Sequence, residues 1–191
     1  MKIVKWLIVS VAALFGLFLI ITFFLPKDYS VSRSISIAAP VPVVYSQVAD
    51  LKAWQEWNPW NQVDPEIEIT YGERSAGAGA SYSWESDIAG DGEMRILETV
   101  PNELVRYELI FEGYEDLPSY SEIKIEPVGG TERVEVSWTF EGNVGSNFFA
   151  RWMSVMVDRF VGASYDDGLE ALRERAELLA DKNLNSANQG G

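Results

Sequence analysis

Arg33 and Glu98 are the two charged residues that fall on the apolar parity of alternating segments, Arg33 level with Val31 and Ile35 and Glu98 between Ile96 and Val100. A charge aimed into an apolar interior can hold a ligand's polar head or act as an acid or base with a displaced pKa. A sheet edge from which the charge reaches water, or a bulge that reverses the alternation, is the favoured explanation of each. Tyr82 and Tyr107 sit on apolar parity too and are the remaining acid–base candidates. The 191 residues contain no histidine and no cysteine. That removes Ser-His-Asp and Cys-His nucleophile systems and the usual zinc and haem ligand sets, so neither a metal nor a cofactor is expected. Glu66 with Glu68 and Glu132 with Glu135 are carboxylate pairs on the solvent parity, where a hydrated charged face accounts for them. The glycines of 77–79 and 90–92 lack the spacing and following helix of a phosphate cradle and read as hairpin turns.

The elements that would position these residues follow from periodicity. Residues 29–37 alternate as a strand, Val43, Val44, Gln47, Val48 and Leu51 recur at helical spacing after Pro40 and Pro42, and Trp54, Trp57 and Trp60 crowd one turn. Six further two-residue-period segments follow. They carry Ile67 to Tyr71, Ala80 to Trp84, Met94 to Val100, Val105 to Phe111, Ile123 with Ile125, and Val134 to Phe140. Glycine, proline and asparagine separate most of them, so the pattern predicts antiparallel strands with one solvated face. After Gly142 the chain turns helical, with Phe149, Trp152, Met153, Met156 and Phe160 on one face. Gly162 reads as an interruption, Ser164 with Asp167 as a cap of a final helix, and 183–191 as a disordered tail. The prediction is an α+β fold in which seven curved antiparallel strands wrap a long C-terminal helix. Pocket candidates are the inward aromatics Trp54, Trp57, Trp60, Tyr82, Trp84, Tyr107, Trp138 and Phe140, joined by Trp152 and Met156 from the helix, with Arg33 and Glu98 as the polar candidates.

Residues 6–25 carry no charge, and at 1.5 Å per residue they extend about 30 Å, enough to cross a bilayer. The run ends Phe23-Phe24-Leu25-Pro26 without a small-residue cleavage site, so residues 1–27 read as an uncleaved transmembrane anchor rather than a signal peptide. Lys2 and Lys5 before the span favour a cytoplasmic tail and an extracytoplasmic domain, periplasmic in a Gram-negative cell. Beyond residue 25 stand 29 acidic and 13 basic residues, a net charge of −16. Such a domain disfavours nucleic acid and anionic surfaces and favours a soluble monomer over residues 28–182.

Several stretches resemble a known superfamily. They are Ser34 to Pro40 leading into Val44, Trp54 to Trp60 with Asp64-Pro65, Gly79 to Trp84, Gly90 to Gly92, and Gly168-Leu169. Over residues 29–180 the chain resembles the helix-grip START, birch-pollen-allergen and polyketide-cyclase-like proteins (SRPBCC), particularly small membrane-anchored bacterial members. The resemblance implies a hollow between sheet and helix used for lipids, hormones, polyketides or other apolar molecules. Some such proteins are enzymes, but no cyclase motif transfers to a numbered position here. The expectation is a non-catalytic, membrane-tethered binder of a hydrophobic or amphipathic small molecule. A cyclase or dehydrase-type enzyme on the same pocket and a structural envelope domain with a filled core are the alternatives.

Overall fold

The computed structural model describes residues 2–189. Helix α1 (Lys2–Phe24) carries the apolar run, is long and apolar enough to cross a membrane, and leaves almost all its side chains uncovered. A three-residue link leads into strand β1 (Asp28–Ile37). Pro40 and Pro42 then start α2 (Val41–Val48), where proline's fixed φ suits a first helical turn. A 3-10 turn (Ala53–Glu56) and the one-turn α3 (Trp60–Val63) hold the tryptophan-dense segment.

The six remaining strands are β2 (Glu68–Tyr71), β3 (Ser81–Glu85), β4 (Gly92–Val100), β5 (Leu104–Phe111), β6 (Ser119–Pro127) and β7 (Val134–Asn143). With β1 they form one antiparallel sheet in the order β1-β7-β6-β5-β4-β3-β2. Inward side chains come from the predicted parity. Tyr82 and Trp84 on β3, Met94 and Ile96 on β4, Val105 and Tyr107 on β5, Ile123 and Ile125 on β6, and Val136 and Trp138 on β7 are all buried.

Helix α4 (Arg151–Gln189) crosses the concave face and differs from expectation in three ways. It runs unbroken through Gly162. Ser164, read as a cap, instead returns its hydroxyl to the Phe160 carbonyl at 3.2 Å within the helix. It also continues through Gln189, because no glycine or proline stops it after Asn183; Gly190 and Gly191 lie outside the described residues. Its buried face is Val157, Val161, Tyr165, Leu169, Leu172, Ala176 and Ala180, with Val157 and Val161 only partly covered.

Candidate ligand cavity

Trp138 is the pivot of the interior. Its β7 parity aims it at α4, where the Tyr165 ring stacks on it at 3.8 Å, while Trp54 and Trp57 meet it edge-on at 5.9 and 5.5 Å. The helix comes this close because residue 168 is glycine, which has no Cβ to hold the two backbones apart. A Cβ there would stand 2.8 Å from Trp138 Cζ3 and 3.0 Å from Pro59 Cδ, neither of which can swing aside. The indole Nε1 donates to the Tyr107 hydroxyl at 2.6 Å and to Ser121 Oγ at 3.1 Å. Ser121 in turn donates to the Thr139 carbonyl at 2.6 Å and lies 3.0 Å from the Tyr165 hydroxyl. These buried polar atoms satisfy one another, as a stable apolar interior demands.

Between this cluster and the β2–β4 side of the sheet the side chains do not meet, leaving a cavity of about 260 Å³. Trp54, Tyr107 and Trp138 form its floor, and Val161 and Tyr165 roof it from α4. Tyr82, Trp84, Met94, Leu109, Phe111, Phe140 and the buried Asn58 wall it, while the less covered Trp60, Asn61, Ile67, Ile69 and Ala89 complete the lining. Trp84 is held by its Nε1 donating to the Gly90 carbonyl at 2.8 Å in the β3–β4 turn. An adjoining depression, lined by Gln55, Asp64, Pro65 and Tyr71 and sharing Asn61, Ile67 and Ile69 with the cavity, opens to solvent at the β2 edge.

Among the described residues the cavity wall bears no carboxylate, amine or guanidinium. Its titratable groups are tyrosines. Burial pushes the hydroxyls of Tyr82, Tyr107 and Tyr165 above their ordinary range, keeping them neutral donors at physiological pH.

Of the sequence candidates, Trp54, Trp60, Tyr82, Trp84, Tyr107, Trp138 and Phe140 converge on the cavity. Trp57 packs behind it, only 2% exposed, with its Nε1 bonded to the Gln47 carbonyl. The other four candidates lie elsewhere. Glu98 faces outward because the β4–β5 register shifts between Ile96 and Glu98, the bulge that reverses parity. Its carboxylate accepts from Arg106 at 2.8 Å on the outer face. Arg33 keeps the inward parity but sits on the edge strand and reaches over α4 to Asp158 (3.0 Å) and Asp166 (3.2 Å). It crosses the helix at Gly162, where a Cβ would collide with its guanidinium. Those two carboxylates hold the guanidinium's pKa above its ordinary value. Trp152 and Met156 belong to a different face of α4, turned away from the sheet; Trp152 bonds to Thr22 of α1 instead. Tyr165 and Val161 were missed as lining residues, although the 157, 161, 165, 169, 172 spacing carries their signal.

A curved antiparallel sheet gripping one long helix over an apolar hollow defines the helix-grip class, to which SRPBCC proteins belong. The chain belongs to the family described as polyketide cyclase / dehydrase and lipid transport, whose model matches residues 28–177. A solution structure from Thermobifida fusca is similar over 78% of this chain and 94% of its own, at 21% identity and a TM-score of 0.60. A crystal structure of a protein from Chromobacterium violaceum matches over 78% and 96%, at 18% identity and 0.56. Norcoclaurine synthase of Thalictrum flavum, solved as a point mutant with a transition-state analogue, matches over 77% and 95%, at 12% identity and 0.57. At these identities the likenesses establish a common fold. A search of curated proteins finds no match to the chain.

Proposed function

We propose that this protein is a membrane-tethered binding protein for a hydrophobic or amphipathic small molecule, held between sheet and α4, with α1 as its anchor and the domain outside the cytoplasm. The observation that carries the reading is a cavity of about 260 Å³ with aromatic and aliphatic walls and an internally satisfied polar floor. A void of about 150 Å³ lined by apolar side chains stays dry and takes benzene. By proportion this one takes on the order of ten non-hydrogen atoms, a two-ring aromatic or a stretch of alkyl chain. Asn61, half-buried in the lining with its Oδ1 lacking a protein partner, suits a donor on a ligand's polar head. The family's description, which names both cyclase or dehydrase activity and lipid transport, is compatible with such a cargo. Binding without turnover is favoured by the wall chemistry, whose titratable groups are tyrosines held neutral.

Native mass spectrometry of the gently purified full chain tests this. An adduct of small-molecule mass is expected, and it should be lost in Val161→Phe, which fills the roof without opening a void. A wild type that carries no adduct and takes up a naphthalene-sized fluorophore such as 2-naphthol no better than Val161→Phe would sink the proposal. Recovery of a chemically altered ligand would move the reading to an enzyme.

A further inference from the structure

Helix α4 has a second apolar face, and the cavity has no use for it. Phe149, just before the helix, and Trp152, Met153, Val155, Met156 and Phe160 in its first turns point away from the sheet; Phe149, Met153 and Phe160 are 61%, 64% and 63% exposed. The face is offset by about one residue, or about 100°, from the buried line through Val157 and Val161. It is also where acidity stops. Residues 144–160 hold Asp158 against Arg151 and Arg159, in a domain that elsewhere is strongly acidic, and Asp158 is already paired with Arg33.

This stretch is docked on the last turns of α1 and the link that follows it. Phe18 stacks on Trp152 at 5.4 Å and lies 6.4 Å from Phe149. One turn on, Trp152 Nε1 donates to Thr22 Oγ1 at 2.8 Å, and Arg151 donates to the Phe23 carbonyl at 2.6 Å. The second of these covers a carbonyl that the open end of α1 leaves without an intrahelical partner. Ser154 then donates to the Pro26 carbonyl at 2.8 Å. Phe18 is six residues, about 9 Å, short of the end of α1. If α1 spans the bilayer, its partners on α4 stand at the same depth.

Resting on that reading of α1 as a span, we propose that the first turns of α4 with Phe149 form a membrane-inserted foot, seated in the headgroup and upper acyl layer of the leaflet from which α1 emerges. The depth matches the roughly 5–10 Å to which interfacial helices sink their apolar face. The sheet is oriented to use it. The start of β1, the ends of β3, β5 and β7 and the start of β4 all lie at the end nearest α1, which follows from the antiparallel order. Phe111, Phe140 and Trp84 wall the cavity at that same end. Val161 roofs the cavity one residue beyond Phe160 of the foot. The cavity therefore faces the bilayer surface, and its cargo is drawn from lipid rather than from water. Glu112, Glu115 and Asp116 in the β5–β6 turn keep that side of the domain at the water's edge, so the foot enters alone.

The chain has no cysteine, so single labels report cleanly. Ile8→Cys, Met153→Cys, Phe160→Cys and Ser83→Cys, each in the full chain, would be spin-labelled and reconstituted in phosphatidylcholine vesicles. Accessibility to oxygen and to a water-soluble nickel chelate would then be compared. All four positions are exposed, so folding is not at stake. The label at 8 should be lipid-buried, that at 153 oxygen-accessible and shielded from the chelate, that at 160 near the interface and that at 83 in water. A label at 153 as chelate-accessible as that at 83, with position 8 in lipid, overturns the foot and leaves the span standing. A label at 8 in water overturns both. Shielding of 153 from both reagents with spin–spin broadening overturns the foot in favour of a second copy covering the face.

Discussion

Truncating Trp138 and Trp84 to alanine should give unequal losses, and the ratio measures how hollow the interior is. Trp138 is 1% exposed and covered on its face by Tyr165 and on its edges by Trp54 and Trp57. Removing it costs about 3–5 kcal/mol for a large buried aromatic, and the Tyr107 hydroxyl also loses the donor that faces it. Trp84 has Phe111 and Tyr82 as ring neighbours at 5.7 and 5.9 Å and otherwise borders the cavity. A side chain with empty space on one side forfeits fewer contacts, so about 2 kcal/mol is expected. With a urea slope of about 2 kcal/mol per molar, the midpoint falls by about 2 M for Trp138→Ala and about 1 M for Trp84→Ala. Circular dichroism of the full chain in mild detergent reads both midpoints, and a naphthalene-sized fluorophore reads the cavity. Trp84→Ala should lose a larger share of probe binding than of stability. Equal midpoint shifts, with probe uptake absent from the wild type, would refute the reasoning and leave a filled core.

Three further outcomes follow from the same geometry. Gly168→Ala should be less stable than Gly162→Ala by about 1–2 kcal/mol in urea unfolding, because both gain helix propensity but only the first overpacks a fixed neighbour. That neighbour is Trp138 with Pro59, whereas the Arg33 tip facing Gly162 can swing away. Alkaline titration followed by tyrosinate absorbance should show Tyr82, Tyr107 and Tyr165 ionising late and together with unfolding. Their folded pKa is raised above the ordinary 10.0, so the neutral-tyrosine stability is intact below that pH and is lost as pH rises through the folded values; early, independent ionisation would contradict it. A reporter active only outside the cytoplasm, fused after Gln189, should be active, and a well-expressed silent fusion would reverse the orientation drawn from Lys2 and Lys5.

Strand parity made most of the site legible, because alternation assigns a face to every residue of a regular strand. Tyr82, Trp84, Tyr107, Trp138 and Phe140 could be aimed at the interior without coordinates. Alternation has no memory across a bulge, and the shift after Ile96 is what turned Glu98 outward. Arg33 shows a different limit. Its parity was right, but parity says nothing of lateral position, and an edge strand let the side chain reach over α4. Gly162 beside a Ser-x-x-Asp spacing imitates a helix break, since a glycine kept for close approach is indistinguishable in sequence from one that ends a helix. The apolar residues of α4 carried two interleaved stripes, and the one richer in large side chains drew Trp152 and Met156 into the pocket. The sparser stripe, Val157, Val161, Tyr165 and Leu169, is the one that covers the sheet.

Those two stripes tie α1 to the roof of the cavity. From Trp152, against α1, to Tyr165, stacked on Trp138, α4 runs without a break. At 1.5 Å per residue that stretch is about 20 Å of continuous helix. Arg33 bridges Asp158, midway along it, and Asp166, just past its end, binding that segment to edge strand β1, which follows α1. Two routes thus join α1 to the domain, one through residues 25–27 into β1 and one through the docked start of α4. A single flexible link would let the domain tumble freely relative to α1. Two routes, cross-braced by Arg33, restrict the domain to one orientation against α1, which the proposed exchange of an apolar cargo with lipid needs more than a wide mouth.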